Sequence, residues 1–195
     1  MKVIGFNGSP RKDGNTTDLL RLLLQEVEKQ GIETELVQLS AKPIHGCIAC
    51  YKCFENQDQR CSVKDDAANE YIEKMLACQG IILGSPSYFQ GATPEMKALI
   101  DRAGFVGLAN DKMYKGKVGA AVCCFRRTGG MHTIETMNHL FFSNEMIIAG
   151  RALCVARDKR EVKKDQEGVQ MAQTLGQRIA RLLTKVSKEV PLRSA

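Results

Sequence analysis

Four of the eight cysteines stand close together in the chain, at Cys47, Cys50, Cys53 and Cys61. Two residues separate each of the first three from the next, and seven residues separate the third from the fourth. Two successive three-residue steps let thiolates surround a small inorganic core, and a fourth ligand farther along the chain completes the set. Four thiolates satisfy a 4Fe-4S cluster, which is therefore the predicted occupant.

The same thiolates could hold Zn²⁺ tetrahedrally, although structural zinc more often pairs two short Cys-x-x-Cys knuckles across a longer gap. A third interpretation leaves the thiols without any metal. The other cysteines lie in or beside predicted buried elements, where a thiol behaves as a small apolar side chain. These are Cys78, Cys123, Cys124 and Cys154.

A second chemically distinctive stretch covers residues 8–17, between the apolar residues 3–6 and a Leu-rich amphipathic segment at 19–27. A strand that ends in a Gly/Ser/Pro turn and continues as a helix directs several backbone N–H groups at whatever lies above the helix N-terminus. Side-chain donors add to these groups, and an arginine can grip phosphate oxygens with two nitrogens. The side chains concerned are Ser9, Arg11, Asn15, Thr16 and Thr17. The stretch predicts a phosphate-binding loop.

The sequence patterns of two common phosphate-binding loops do not match residues 8–17. A Walker loop has four residues between its glycines and then Lys, whereas five residues separate Gly8 from Gly14 and Asn15 follows. The dinucleotide fingerprint needs three closely spaced glycines, and Gly5, Gly8 and Gly14 are too far apart. The remaining interpretations are a mononucleotide loop and an ordinary polar turn.

Two further loops suit the rest of a ligand. Residues 85–91 follow a predicted buried strand, and Pro86, Tyr88 and Phe89 offer flat apolar surface beside backbone amides. A phosphate loop paired with such a surface suits a flavin. Residues 126–130 place Arg126 or Arg127 next to Gly129-Gly130, where positive charge would favour the anionic reduced form of a flavin ring. Ordinary core packing of the aromatic residues and a surface arginine pair are the alternatives.

The elements that must position these loops alternate between strand and helix. Strands are predicted at residues 2–6, 33–39, 80–84 and 117–125, and a fifth strand is predicted to begin at 146. Helices are predicted at residues 16–30 and at about 163–187. Of the three helices between them, one begins after Asp66, one begins at Thr93 and one ends at about 144. Such alternation predicts a flavodoxin-like α/β fold, a doubly wound five-stranded parallel sheet of order 2-1-3-4-5. In that order the loops after strands 1, 3 and 4 converge at the carboxyl edge. The cysteines lie in a loop insertion after strand 2, at about 40–64.

Composition limits the remaining possibilities. With 195 residues and 44% hydrophobic content, the chain predicts a single domain covering 1–195. No apolar run approaches the roughly 20 residues of a membrane span, and the first residues already form a strand, so we expect a cytoplasmic protein with reduced thiols. The net charge of +6 is concentrated in residues 157–164 and the last helix and indicates a solvated face. No Ser/His/Asp or paired-carboxylate arrangement indicates a hydrolase.

Together these loops carry the residues of a known family: Gly8-Ser9-Pro10-Arg11 with Asn15-Thr16, then Gly84 through Phe89, Lys97, and Asp101-Arg102. The chain resembles the NADPH-dependent FMN reductase superfamily over residues 1 to about 150, and more narrowly the iron-sulfur flavoproteins. The third loop departs from the pattern, because relatives often read Arg, a variable residue and Gly-Gly-Gln-Glu, whereas Met131 and His132 follow the glycines here.

The resemblance implies a set of residues around FMN. The phosphate would be bound by Ser9, Arg11, Asn15, Thr16 and Thr17, and the isoalloxazine would be bordered by Pro86, Ser87, Tyr88, Phe89 and Gln90. Arg126, Gly129 and Gly130 of the third loop would complete the site. The cluster ligands would be Cys47, Cys50, Cys53 and Cys61.

The resulting functional expectation is an FMN-dependent oxidoreductase with the cluster as a one-electron port. The resemblance implies a ferredoxin-like donor or NAD(P)H, a small acceptor such as oxygen, peroxide, quinone or flavin, and a homodimer or homotetramer. One alternative is a cluster-free NAD(P)H-dependent flavin or quinone reductase. The non-enzymatic alternative is a redox sensor that binds flavin or zinc. We expect no nucleic-acid partner and no membrane partner.

Overall fold

The computed structural model describes the backbone of residues 1–189 and the side chains of residues 1–187. Its strands are β1 (Lys2–Asn7), β2 (Glu33–Gln38), β3 (Gly80–Pro86), β4 (Val118–Phe125) and β5 (Ile147–Val155). Its α-helices are α1 (Asn15–Glu28), α2 (Lys52–Asn56), α3 (Ala68–Ala77), α4 (Pro94–Ala109), α5 (Gly130–Ser143) and α6 (Gln166–Glu189). Residues 190–195 of the predicted domain lie outside the described residues.

The strands form one parallel sheet in the order β2-β1-β3-β4-β5. This arrangement confirms the predicted topology. β1 lies between β2 and β3, with Phe6 paired with Val37 on one side and with Leu83 on the other. The chain reverses its direction across the sheet between β1 and β3, so the loops that follow these two strands meet at the carboxyl edge.

Helices cover both faces of the sheet. On one face, α1 and α6 pack over Val3 and Ile82, and on the other, α3, α4 and α5 pack over Ile4 and Ile81. α1 and α6 approach closely at Gly176, where an added Cβ would lie 2.4 Å from the backbone oxygen of Leu23. Among the helices of residues 1–189, none has the length and apolar character needed to cross a membrane.

The cysteine-bearing segment is less irregular than the sequence suggests. Residues 42–67 connect a 3-10 turn at Leu39–Ala41 to α3, and they include the short helix α2. Both residues that flank α2, Tyr51 and Gln57, have left-handed backbone angles. Five helical residues are too few to produce a recognisable 3.6-residue periodicity, which explains why α2 was not predicted.

The last strand and helix also differ from expectation at their ends. β5 begins at Ile147, close to the predicted start at 146, and ends at Val155, whereas α6 begins at Gln166 after a 3-10 turn at Val162–Lys164. Element ends are weakly encoded in sequence because fraying and caps decide them. Neither change moves the loops at the carboxyl edge.

Candidate functional site

Asn7, the last residue of β1, organises the first loop. Its side chain is fully buried, and its Nδ2 donates to Thr17 Oγ1 at 2.8 Å and to Gln38 Oε1 at 2.7 Å. Its Oδ1 accepts a hydrogen bond from the backbone N–H of Ser9 at 3.0 Å. One amide therefore joins the end of β1, the end of β2 and the first turn of α1.

The first turn of α1 points into this loop with its N–H groups free for a ligand. Gly14 occupies the N-cap position and supplies no side-chain cap, and the first helical bond runs from the N–H of Asp18 to the oxygen of Gly14. The preceding N–H groups of a helix have no intrahelical acceptor and favour an anion. Ser9, Thr16 and Thr17 are buried beside this turn, whereas the Arg11 side chain is exposed.

The side chain of Asn15, whose predicted phosphate contact stays a prediction, bonds a distant part of the chain. Its Nδ2 donates to the oxygen of Asp158 at 2.7 Å, and its Oδ1 accepts from the N–H of Glu161 at 2.9 Å. Both bonds reach across to the connection between β5 and α6. Asn15 therefore ties that basic connection to the first loop.

The first and second loops are joined directly. The N–H of Gly8 donates to the oxygen of Gly84 at 2.7 Å, and Thr93 Oγ1 donates to the oxygen of Gly8 at 2.7 Å. Thr93 also caps α4 by accepting from the N–H of Met96, and its own N–H donates to Ser85 Oγ at 3.1 Å. The N-terminus of α4 is thus held by both loops.

The second loop presents its aromatic side chains to the surface. Tyr88 and Phe89 are exposed, and the backbones of Tyr88 and Gly91 exchange two hydrogen bonds across the loop tip. Phe89 and Gln90 have positive φ angles, of 46° and 70°. In contrast, Ser87 Oγ is buried without a hydrogen-bond partner among the described residues.

The third loop packs against the second at Gly129. This residue has a φ of +83°, and a Cβ added to it would lie 2.4 Å from Ser87 Oγ and 2.6 Å from Gln90 Cα. Arg126 and Arg127 lie on the exposed part of the same loop. The predicted convergence of three loops is therefore present at the carboxyl edge.

The residues at this edge fit a flavin mononucleotide. The open N–H groups of α1 suit its phosphate, and exposed aromatic rings beside backbone amides suit a flat heteroaromatic ring with a polar rim. A buried hydroxyl without a partner is costly, and Ser87 Oγ in the second loop has no partner among the described residues. The fit rests on this orphaned group and on the donor set, independently of any likeness.

The second chemical centre is a cleft between the cysteine segment and α4. All four clustered cysteines line it, with Cys61 buried, Cys47 and Cys53 half-buried and Cys50 exposed. The cleft contains about 400 Å³ of space, including its open mouth. Burial raises the pKa of the Cys53 thiol. Within residues 1–189, no group of three or more His, Cys, Asp or Glu side chains is arranged to hold a single metal ion.

Arg102 of α4 forms the floor of this cleft and is 1% exposed. Its Nε donates to Cys61 Sγ at 3.1 Å. Its two terminal nitrogens donate to both carboxylate oxygens of Asp66, at 2.7 and 3.2 Å, and to the backbone oxygens of His45 and Val63, at 3.1 and 2.9 Å. All five N–H groups of one guanidinium therefore bind the cysteine segment.

Asp66 completes this arrangement from the other side. Burial alone would raise the pKa of its carboxyl, but hydrogen bonds from Arg102 and from the N–H groups of His45 and Ala68 hold the pKa below its usual value. The bond from the Ala68 N–H joins Asp66 to the first residue of α3. The carboxylate thus also balances the buried charge of Arg102.

Aromatic rings fasten the outer part of the cysteine segment to α4. Tyr51, Phe54 and Phe105 pack pairwise, with ring centroids 6.0 to 6.3 Å apart. Such edge and tilted contacts contribute modestly beyond the area they bury. They keep the loop that carries Cys47, Cys50 and Cys53 close to the helix.

Sequence reasoning missed four residues that shape the two centres, namely Asn7, Gln38, Asp66 in its pairing role, and Arg102. The sequence contained an indication for two of these residues, Arg102 and Asn7. Arg102 interrupts the apolar stripe of a predicted helix, and Asn7 is a polar residue that directly follows a buried strand. Buried polar groups of this kind need partners, which the sequence cannot name.

The Asn7→Ala variant is expected to bind FMN about tenfold or more weakly, because each buried group left without a partner costs about 1–3 kcal/mol. Its partners in the first loop would lose the hydrogen bonds that order them. Quenching of FMN fluorescence on titration with the variant measures the change. Asn56→Ala removes an exposed amide that donates to Ser62 at 3.4 Å and serves as the control. Equal FMN affinities for both variants would contradict the role assigned to Asn7.

Comparison with known families and relatives agrees with this geometry. Residues 1–160 match the model of the NADPH-dependent FMN reductase family. An iron-sulfur flavoprotein of Methanocaldococcus jannaschii is 36% identical over 198 residues, covering 96% of this chain and 100% of the relative. One from Methanosarcina thermophila is 36% identical over 152 residues, covering 77% and 78% of the two chains.

More distant proteins share the fold. An FMN-dependent NADH:quinone oxidoreductase of Chromobacterium violaceum is 24% identical, covering 76% of this chain and 79% of its own. The structure of RosB with a bound formylriboflavin phosphate intermediate superposes with a TM-score of 0.78 at 16% identity, covering 100% of this chain and 82% of RosB. An archaeal flavodoxin superposes with a TM-score of 0.61 at 17% identity, covering 96% and 99%.

Proposed function

The chain belongs to the NADPH-dependent FMN reductase family and is a flavin-dependent oxidoreductase, and we propose that it exchanges electrons between FMN and a 4Fe-4S cluster. The observation that carries this proposal is that Cys47, Cys50, Cys53 and Cys61 all line one cleft. The names of its iron-sulfur flavoprotein relatives support the same assignment.

The FMN would lie at the carboxyl edge of the sheet. Backbone N–H groups at the start of α1, with Ser9, Arg11, Thr16 and Thr17, would hold the phosphate. Asn15 would act through its tether to the β5–α6 connection, which keeps the helix start in place. The residues proposed around the ring are Pro86, Ser87, Tyr88, Phe89, Gln90, Arg126, Gly129 and Gly130.

The chain's own residues give this site its chemical character. Bound FMN supplies both hydride and single-electron chemistry, whereas a bound 4Fe-4S cluster supplies single electrons. Ser87 Oγ would donate to or accept from the polar rim of the ring, and the exposed rings of Tyr88 and Phe89 would cover its face. Arg126 or Arg127 would bring positive charge near the ring, which would favour its anionic reduced form.

The partners follow from these electron carriers. We propose a ferredoxin-like protein or NAD(P)H as donor, and oxygen, peroxide, quinone or flavin as acceptor. Cytoplasmic location, a single domain and a homodimer or homotetramer are proposed with them. The exposed cysteine Cys50 supports a one-electron partner that approaches the cleft from outside.

A second candidate is a cluster-free NAD(P)H-dependent reductase of flavin or quinone. The similarity to an FMN-dependent NADH:quinone oxidoreductase favours this second candidate. In the third candidate, a non-enzymatic redox sensor, the protein binds flavin or zinc and no substrate turns over. These candidates differ in metal content and in electron donor.

Analysis of protein purified without oxygen tests the assignment. We expect about one FMN, four irons and four acid-labile sulfides per chain, with the broad visible absorption of an iron-sulfur protein over the flavin bands. Stoichiometric zinc without sulfide would refute the cluster. Rapid reduction of a metal-free protein by NADPH alone would favour the cluster-free reductase, and failure to bind added FMN would remove the flavin site.

A further inference from the structure

We propose that Arg102 positions Cys61 for the metal centre and raises the reduction potential of the cluster bound there, an inference that rests on the proposed function. Arg102 is buried on α4, and its Nε lies 3.1 Å from Cys61 Sγ. The other cysteines of the cleft are at least partly open to solvent. Cys61 is thus the buried thiol of the cluster, and its sulfur accepts from a buried guanidinium, whereas Cys47 Sγ accepts from the N–H of Ala49 at 3.4 Å.

The direction of the Nε–H bond is fixed by the rest of the guanidinium. One terminal nitrogen donates to Asp66 and to the oxygen of His45, and the other donates to Asp66 and to the oxygen of Val63. A planar fork held at four points has no freedom to rotate its fifth N–H away from the sulfur. Lysine carries the same charge but lacks this fixed geometry.

The network joins residues on both sides of the thiol in sequence. His45 precedes the first cysteine by two residues, and Val63 and Asp66 follow Cys61 closely. Cys61 is further held by Asn69, whose Oδ1 accepts from the Cys61 N–H at 2.7 Å and whose Nδ2 donates to the Cys61 oxygen at 2.9 Å. Hydrogen bonds therefore hold Cys61 at both its backbone and its sulfur.

A hydrogen bond to a ligand sulfur affects the potential as well as the position. Reduction adds negative charge to a cluster and to its thiolates, and an N–H directed at one sulfur stabilises the more negative form. Asp66 offsets the formal charge of Arg102, so the directed N–H bond remains as the main influence. Burial limits its screening by water.

An exposed ion pair in the same segment provides a matched control. Arg60 pairs with Glu73 at 2.5 Å, and both side chains are about half exposed. Arg60 belongs to the cysteine segment, one residue before Cys61, but it is not among the residues that line the cleft. Exposed pairs of this kind contribute little to stability. Replacing Arg60 changes the charge of the segment without touching the network of Arg102.

The first measurement uses metal-free, reduced protein with FMN bound, and follows labelling of each cysteine by iodoacetamide with mass spectrometry. Arg102→Gln is expected to speed labelling of Cys61 about tenfold or more relative to wild type, because local opening exposes the thiol. Arg60→Gln is expected to leave the rate unchanged. Asp66→Asn serves as a second variant, in case Arg102→Gln does not fold. If Cys61 is labelled at the wild-type rate in folded Arg102→Gln and Asp66→Asn proteins, the positioning role of Arg102 is overturned.

The second measurement is the midpoint potential of the iron-sulfur centre, followed by spectroelectrochemistry. Arg102→Lys is expected to shift this potential to a more negative value and to leave the flavin potential of the same protein unchanged. In the Arg60→Gln protein, the potential of the iron-sulfur centre is expected to equal that of the wild type. A purely structural role would lower cluster content without shifting the potential of the clusters that remain, and that result overturns the tuning role. Wild-type protein without iron and sulfide overturns both the tuning role and the proposed function, whereas the labelling result still decides the positioning role.

Discussion

The Cys50→Ala variant is expected to purify with FMN but with less than about one iron per chain, compared with about four in the wild type. Removing one of four thiolates leaves an iron site without a protein ligand. The flavin loops lie at the carboxyl edge of β1, β3 and β4, on residues that do not line the cysteine cleft. Iron, sulfide and FMN analysis of anaerobically purified protein measures the loss. Reduction by a one-electron protein donor is expected to slow strongly.

Cys78→Ala is the control for Cys50→Ala. Cys78 is fully buried in the core, and burial raises the pKa of its thiol to about 11. Cys78 is not among the residues that line the cysteine cleft, so this variant is expected to keep its iron and sulfide and to lose only some stability. Wild-type cluster content in Cys50→Ala, or equal losses in both variants, would contradict the assignment of the four ligands.

The Gly129→Ala variant is expected to lose about 10- to 100-fold in FMN affinity, because forcing extra volume into a packed site costs about 1–3 kcal/mol. The added Cβ would overlap Ser87 Oγ and the backbone of Gln90. Relief of that overlap requires the second and third loops to separate, which displaces the groups proposed around the ring. Fluorescence titration with FMN measures the affinity, and urea unfolding measures the accompanying change in stability.

Gly116→Ala separates this overlap from the cost of the backbone angle. Gly116 also has a left-handed conformation, with φ of +78°, but an added Cβ there meets no atom within 4 Å. Both variants carry the roughly 1–2 kcal/mol penalty of an L-residue in that conformation, and only Gly129→Ala adds a clash. Gly116→Ala is therefore expected to lose stability while binding FMN normally. Equal FMN affinities in the two proteins would show that contact between the loops is not needed for binding.

The sheet order and the positions of the loops could be predicted from local patterns. Buried strands such as β1 and β3 read as short apolar runs, and each ends in a polar turn followed by a helix. Right-handed crossovers then leave few possible topologies. The short helix α2 and the true ends of β5 and α6 were not predictable, because five helical residues show no period and tertiary contacts decide where elements end.

The candidate sites were predictable to a different extent. The cysteine spacing and the donor-rich first loop indicated their ligands without any structure, and those residue assignments stay predictions. Asn15 was expected to contact phosphate, whereas its side-chain amide joins the β5–α6 connection more than 140 residues away. A side-chain partner so distant in the chain is determined by tertiary packing, and it cannot be predicted from the spacing of neighbouring residues.

By itself, the sequence determined which residues could do chemistry and which edge of the sheet would carry them, because residue type, spacing and alternation of elements are local properties. Only the tertiary structure decided that Asn7 supports the first loop and that Arg102 directs a hydrogen bond at Cys61. Asn7 also bonds Gln38, 31 residues away, and Arg102 lies 41 residues from Cys61, so both contacts depend on how the chain folds. The cysteine motif names four thiols, and the fold singles out Cys61 among them.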